Sequence, residues 1–301
     1  MRNPIIKELK KLKLINHKNI VCLNNRTRDK KVRVLKDKSG IIFLEKFLTS
    51  DNYYEYKKDN DDKSTTYEKS KRQTVNIKTL NGNIKIPAIE DYFRRATQFK
   101  KILKNKNVLD FGCGWGGFLK NVKNAKSLSG VDLRKECINY IQHKLKKINI
   151  SDNLNSFDKK FDVITMFHVL EHIPNQVDTM KFLKSKLKNK GKIIVEVPHA
   201  RDFLILQDEL KEFKNFTFCA EHLITHTSKS LKTILLKSGF KNVKIQYFQR
   251  YNFSNHLGWF LKRKHGGQKF YENIVSKKLN KAYCENLLRL KQTDTIIAIA
   301  E

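Results

Sequence analysis

Acidic side chains are scarce in this 301-residue chain: 30 Asp and Glu stand against 62 Lys and Arg, a formal net charge of +32. Such an excess can mark a binder of nucleic acid or of an anionic surface, because each cation set on a phosphate releases counterions. The basic residues, however, run from Arg2 to Lys291 without gathering in one block. That spread points to simple solubility or an anionic small substrate ahead of a nucleic-acid partner. Long apolar runs are missing too. No stretch approaches the ~18 apolar residues of a membrane span. The opening MRNPIIKELKKLKLI is interrupted by Lys7, Lys10, Lys11 and Lys13, which makes it a poor signal peptide. Ile5, Leu9 and Leu12 share one helical face, predicting an ordinary N-terminal helix, with a weak surface anchor on a membrane or partner as the alternative. The five cysteines (22, 113, 137, 219 and 284) form no C-x-x-C pair. Their scatter argues against a zinc site and a disulfide framework and fits a reducing cytoplasm.

Residues 1–85 read as an extension. KKVRVLKDKSGIIFLEKF predicts two short strands around the Asp37–Gly40 turn. The polar run 51–73 predicts a linker or lid, and Asn81-Gly82 marks a tight turn. From Glu90 the pattern changes, with Tyr92, Phe93, Ala96, Phe99 and Ile102 at helical spacing. Strands are then predicted at Asn107–Phe111, SLSGVDL, 148–150, FDVITMF, GKIIVEVP, KNVKIQYFQRY and TDTIIAIAE. Helices are predicted between them over 134–147, 177–187 and 228–238, the last ending at Gly239. This alternation predicts an α/β fold for 86–301: a Rossmann-like, mostly parallel seven-stranded sheet with helices on both faces. Residues 252–292 would be a cap inserted between the last two strands.

The most informative segment is VLDFGCGWGGFL, residues 108–119. An apolar strand ends at Asp110, glycines follow at 112, 114, 116 and 117, and Phe118 opens a helix. Glycines here let the backbone turn sharply and approach a ligand closely, with the positive end of the helix facing the same crevice. Gly112, Gly114 and Gly117 also fit G-x-G-x-x-G, so a nicotinamide dinucleotide, and with it an oxidoreductase, is one reading. Asp110 favours another. A carboxylate at the strand end can receive a ligand's ammonium group but would repel a pyrophosphate. Asp132, in G-V-D-L, lies 20 residues past Gly112 and can accept bonds from ribose hydroxyls; capping the helix 134–147 is its plainer role.

The run G-C-G-W-G resembles the first motif of class I methyltransferases, and the later segments follow that family in order. The resemblance implies S-adenosylmethionine as cofactor. It implies that Asp110, Gly112, Gly114, Gly116, Asp132 and Leu133 line its site, that Asp152 and Asn153 contact the adenine amine, and that Phe167 and His168 end the fourth strand beside the methyl. FDVITMFHVLEHIPN resembles the fourth motif of small-molecule methyltransferases. Related phosphobase enzymes use a histidine of this turn as a base, which implies that role for His172; His199 and His222 are the other candidates. His168-Val-Leu-Glu171-His172 also matches the H-x-x-E-H metal pattern, but a β-rich run leads into it and Pro174 follows, so no metal is expected.

Other acceptor classes lack their signatures. The slot after the fourth strand reads M-F-H-V rather than (N/D)-P-P-(Y/F). Cys113 and Cys137 are misplaced for attack on a pyrimidine, and a two-glutamate loop is absent. The C-terminal order, with E-H-L-x-x-x-T and S-N-H-L-x-W…G-G, resembles methyltransferases of bacterial surface-polysaccharide clusters. That implies O-methylation of a sugar or glycan precursor, anionic or phosphorylated, with His222, His256, Trp259 and Lys262–Lys264 as candidates to hold it.

Overall fold

The structure, a computed structural model, describes residues 2–47, 74–79, 82–87 and 90–301. The polar stretch 51–73, read as a linker or lid, and Asn81 of the expected turn lie outside the described residues. In chain order the strands are β1 (Ile20–Asn24), β2 (Val34–Asp37), β3 (Ile42–Leu44), β4 (Thr74–Thr79), β5 (Gly82–Pro87), β6 (Asn107–Phe111) and β7 (Ser127–Val131). Then come β8 (Ile148–Ser151), β9 (Phe161–Phe167), β10 (Leu187–Pro198), β11 (Ile224–Thr225), β12 (Lys244–Phe248) and β13 (Thr295–Ala300). All seven strands predicted for the main sheet form.

Those seven pair in the order β12-β13-β10-β9-β6-β7-β8. β6 runs parallel to β7 and β9, and β7 to β8, while β12 and β13 are antiparallel. This is the mostly parallel α/β sheet that the alternation predicts. The order of strands reverses between β6 and β9, the kind of switch point where open α/β sheets bind ligands beyond their strand ends. Val108, Leu109, Val163, Ile164 and Met166 of these two strands are at most 1% exposed, because a strand covered on both faces carries apolar side chains at successive positions.

The residues divide into two compact units. One spans Ser50–Val169 and Lys181–Val195 and contains β6 to β9. Its interior includes Leu103, Phe118, Leu119, Cys137 and Ile141. The other takes Met1–Thr49, Leu170–Met180 and Glu196–Ala300. Here a small sheet, β1-β2-β3-β11, forms from the expected 34–44 hairpin, a preceding strand and a two-residue strand from far along the chain. β3 obeys the two-residue period of a strand with both faces buried. Ile42 and Leu44 enter a cluster with Val34, Leu204, Phe213 and Trp259, whereas Ile41 and Phe43 enter another with Ile5, Leu9 and Ile224.

The N-terminal helix, Ile5–Lys11, therefore has its apolar face inside this unit, with Ile5 and Leu9 at 0% exposure. That corrects the surface-anchor alternative: the face that would touch a membrane or partner is taken by Phe43 and Ile224. Glu8, on the same helix, accepts the backbone N–H groups of Gln176 and Val177, so its carboxylate sits on the positive end of the helix Gln176–Ser185. Residues 253–290 hold the helices Phe253–Lys262, Gly267–Tyr271 and Lys277–Leu290. Among the described residues no helix is long and apolar enough to cross a membrane. The five cysteines are free.

Candidate functional site

The predicted residues fall into two groups, one in each unit. The first gathers at the switch point. Asp110, near the end of β6, is 3% exposed, and the Thr165 hydroxyl of β9 donates to its Oδ1 at 2.7 Å. Burial drives its pKa up, against the Thr165 bond and the Arg95 cation, to about 7. A carboxylate held in this state gains by receiving a cation.

After β6 the backbone turns back on β7. Gly112 and Cys113 both donate to the Val131 carbonyl, at 2.8 and 3.0 Å, and Gly112, Gly114 and Gly116 have φ of 77°, 54° and 71°. Those angles lie where side chains other than glycine's are strained. At Gly112 a Cβ would also stand 2.4 Å from Val169. At Gly117 it would stand 2.2 Å from the Tyr92 ring, so this glycine serves the packing of the helix Glu90–Gln98.

Asp132 braces the loop. Its Oδ2 accepts Gly114 N–H at 2.7 Å, and its Oδ1 accepts the backbone N–H and Nε of Arg134. The capping position of the next helix, Lys135–Lys144, is Arg134, so Asp132 is not its cap. These contacts fill three of the roughly four acceptor positions of a carboxylate. Leu133 is 44% exposed, a free apolar surface of the kind a purine can cover. Asp152 and Asn153 are exposed at the end of β8, where the Asn153 side chain caps the turn 154–156.

Phe167 and His168 behave differently. Phe167 is 8% exposed, stacked on Phe99, edge-on to Phe118 and under the Arg95 guanidinium at 4.7 Å, so its side chain is core. His168 is half-buried with φ of 55°. A non-glycine residue held in that region just past a parallel strand marks a turn whose shape is imposed by its surroundings. Thr165 and Arg95 are absent from the sequence reading. The signal for Thr165 was a hydroxyl amid the apolar run Val163-Ile164-Thr165-Met166-Phe167.

The second group is histidine-rich. Glu171 is fully buried; His172 and His222 are half-buried, with ring centroids 4.7 Å apart. Leu223 N–H donates to the Glu171 carbonyl at 2.9 Å, which brings residues 171–172 beside 222. His172 Nδ1 donates to the Glu221 carbonyl at 3.1 Å. Burial, then the neighbouring His222, lowers the His172 pKa to about 4, which leaves a neutral ring with its lone pair on Nε2. Burial also pulls His222 down, but Cys219, Glu171 and Glu221 outweigh it and raise its pKa to about 9. His199 is 1% exposed, bonded through Nδ1 to the Thr293 carbonyl, and bridges His226 across the ends of β10 and β11.

The residues expected to hold a sugar in the C-terminal helices are used internally. Trp259 is 3% exposed against Phe213 and Phe216, and His256 is 1% exposed, bonded to Tyr283 Oη and facing Gln249. Lys262 and Lys264 are exposed, with Lys262 Nζ 3.8 Å from the Phe270 ring centroid.

An α/β sheet with an acid-glycine loop at its switch point and a second acid at the next strand end defines a Rossmann-like domain that takes a nucleoside ligand. The family described as a methyltransferase domain matches residues 88–245, and the chain belongs to it. Of the two readings of the glycine loop, this family is not that of a nicotinamide-dependent oxidoreductase. The chain is 30% identical over 158 residues to a tRNA U34 carboxymethyltransferase of Nautilia profundicola, covering 47% of this chain and 50% of the relative. It is 31% identical over 101 residues to a ubiquinone biosynthesis O-methyltransferase of Coxiella burnetii, covering 30% and 43%. The chain thus spans about half the length of the curated relatives it matches. A solved SAM-dependent methyltransferase from Archaeoglobus fulgidus is similar with a TM-score of 0.48 and 24% identity, over 70% of this chain and 93% of that one.

Proposed function

We propose that this protein is a methyltransferase that uses S-adenosylmethionine and delivers the methyl group to an oxygen of a small-molecule acceptor, a sugar or glycan precursor. The observation that carries the cofactor is the buried Asp110 beside the glycine turn, with Asp132 one strand away. When bound, the cofactor supplies a methyl group on a positively charged sulfur.

The chain's residues then do the rest. Asp110 receives the amino group, Gly112, Gly114 and Gly116 let the backbone lie against the ligand, and Asp132 takes a ribose hydroxyl. Leu133 covers the adenine, and Asp152 or Asn153 meets its amine. His168 shapes the turn past β9. His172, neutral and with Nδ1 fixed by Glu221, offers Nε2 to the acceptor's proton. Alignment in a water-poor pocket can lower such a barrier by roughly 7–11 kcal/mol, and a positioned base adds about 10²–10⁴-fold. His172→Ala is expected to lower kcat by about that factor while leaving cofactor affinity near that of the parent. An unchanged kcat would assign His172 to packing.

Calorimetric titration with S-adenosylmethionine tests the cofactor, with Asp110→Ala as control and NAD as competitor. Saturable binding that the substitution abolishes and NAD does not displace is the expected result. Well-folded protein that takes no S-adenosylmethionine would overturn the proposal. A second reading, an RNA acceptor, is favoured by the similarity to a tRNA U34 carboxymethyltransferase. It requires oligonucleotide affinity that falls steeply with salt and methyl transfer to RNA in preference to nucleotide sugars.

A further inference from the structure

Glu171, His172 and His222 each offer a ligand atom, and those atoms lie within 4.8 Å of one another. One contact suits the group to a cation. His172 commits Nδ1–H to the Glu221 carbonyl, which leaves Nε2 as the ligating nitrogen with a backbone acceptor behind it. That outer contact is the usual means of orienting a metal-binding imidazole.

The H-x-x-E-H pattern of the sequence pairs His168 with His172, and the β-rich run before it and Pro174 after it argue against a metal held by that pair. The cluster does not use His168. Its third member comes from residue 222, brought in by the Leu223-to-Glu171 backbone bond.

We propose that Glu171, His172 and His222 form a two-histidine, one-carboxylate site for a divalent first-row transition ion. Two imidazoles disfavour Mg²⁺ and Ca²⁺, which take oxygen ligands, and three protein donors leave coordination positions open to outside oxygen ligands. The site stands independently of the methyl-transfer reading. It changes one role within it: with an ion bound, His172 Nε2 is a ligand and no longer the proton acceptor.

The test uses the full chain, stripped with chelator and titrated with Mn²⁺ while free Mn²⁺ is followed by electron paramagnetic resonance. The expected result is uptake of about one ion per chain, displaced by Zn²⁺, which binds such sites more tightly. Glu171→Gln and His222→Gln each weaken uptake by roughly tenfold or more, whereas Cys22→Ser, at an exposed thiol, leaves it unchanged. Pulsed resonance on the unsubstituted protein should show coupling to imidazole nitrogen, a readout that does not depend on any variant folding. Calorimetry with S-adenosylmethionine on the same variants reports separately on the cofactor site. No saturable uptake, uptake equally strong in both variants, or bound Mn²⁺ without imidazole coupling would each overturn the site.

Discussion

At the scale of single residues, Asp110 carries the clearest consequence. Its folded pKa of about 7 lies above the ordinary 3.8, so the folded protein holds this proton more tightly than the unfolded chain does. The stability it contributes is therefore complete below the unfolded value and is lost as pH rises through about 7. The loss amounts to roughly 4 kcal/mol if no other group compensates. A ligand ammonium beside the carboxylate favours the ionised form and removes that loss. Two trends should follow on raising the pH from about 5 to about 8: the Tm of the free protein falls, and the Tm gain from S-adenosylmethionine grows. Asp110→Asn should flatten both. Calorimetric scans with and without cofactor measure this, and a ligand-induced gain that is constant across the range would mean that Asp110 does not face the amino group.

At the scale of elements, the parallel strands were legible because their signal is local: short apolar runs ending in Asp110, Asp132 and Phe167, each bounded by turn residues. The hairpin 34–44 was legible for the same reason. β11 was not, since two residues gain their identity as a strand only by pairing with β3. The site was half legible. Asp110, the glycines and Asp132 stand where the acid-glycine pattern puts them, because that pattern is itself a backbone conformation. Which side chains of the S-N-H-L-x-W…G-G segment are exposed was not legible. Ser254, Asn255, His256 and Trp259 are the residue types of a sugar site, yet each is at most 4% exposed, and Asn255 and His256 are hydrogen-bonded within the protein. Residue type alone does not separate a polar side chain bonded within a core from one offered to a ligand. The glycines of that segment are packing devices as well: a Cβ on Gly267 would lie 2.2 Å from the Ser254 carbonyl and 2.7 Å from Gly258. Gly267→Ala should therefore force the helices Phe253–Lys262 and Gly267–Tyr271 apart and destabilise the protein by about 1–3 kcal/mol. Denaturant unfolding with an unchanged midpoint would contradict this account of the pair.

At the scale of the molecule, the sequence and the fold weigh the N-terminal residues differently. In the sequence they read as an extension, because the regular alternation begins only at Glu90. In the structure residues 2–47 supply eleven of the twenty buried side chains in the two clusters of their unit, among them Ile5, Leu9, Val34, Phe43 and Leu44. Asn3 adds a polar tie: its Nδ2 donates to the carbonyls of Leu44 and Leu223, at 2.9 and 2.8 Å, from a position 1% exposed. Removing residues 1–47 would bare Leu223, Ile224, Leu204 and Phe213 together and strip β11 of β3. Each large apolar side chain left uncovered costs roughly 1.5–3 kcal/mol, so four at once cost about as much as the roughly 5–15 kcal/mol that holds an ordinary domain folded. The truncated chain is expected to be insoluble, or to keep far-ultraviolet dichroism while losing the near-ultraviolet signal of packed aromatics. Phe43→Ala, a milder probe of the same contact, should cost about 3–5 kcal/mol in denaturant unfolding. A truncated protein that melts cooperatively within a few degrees of the full chain would mean that these residues are an appendage after all.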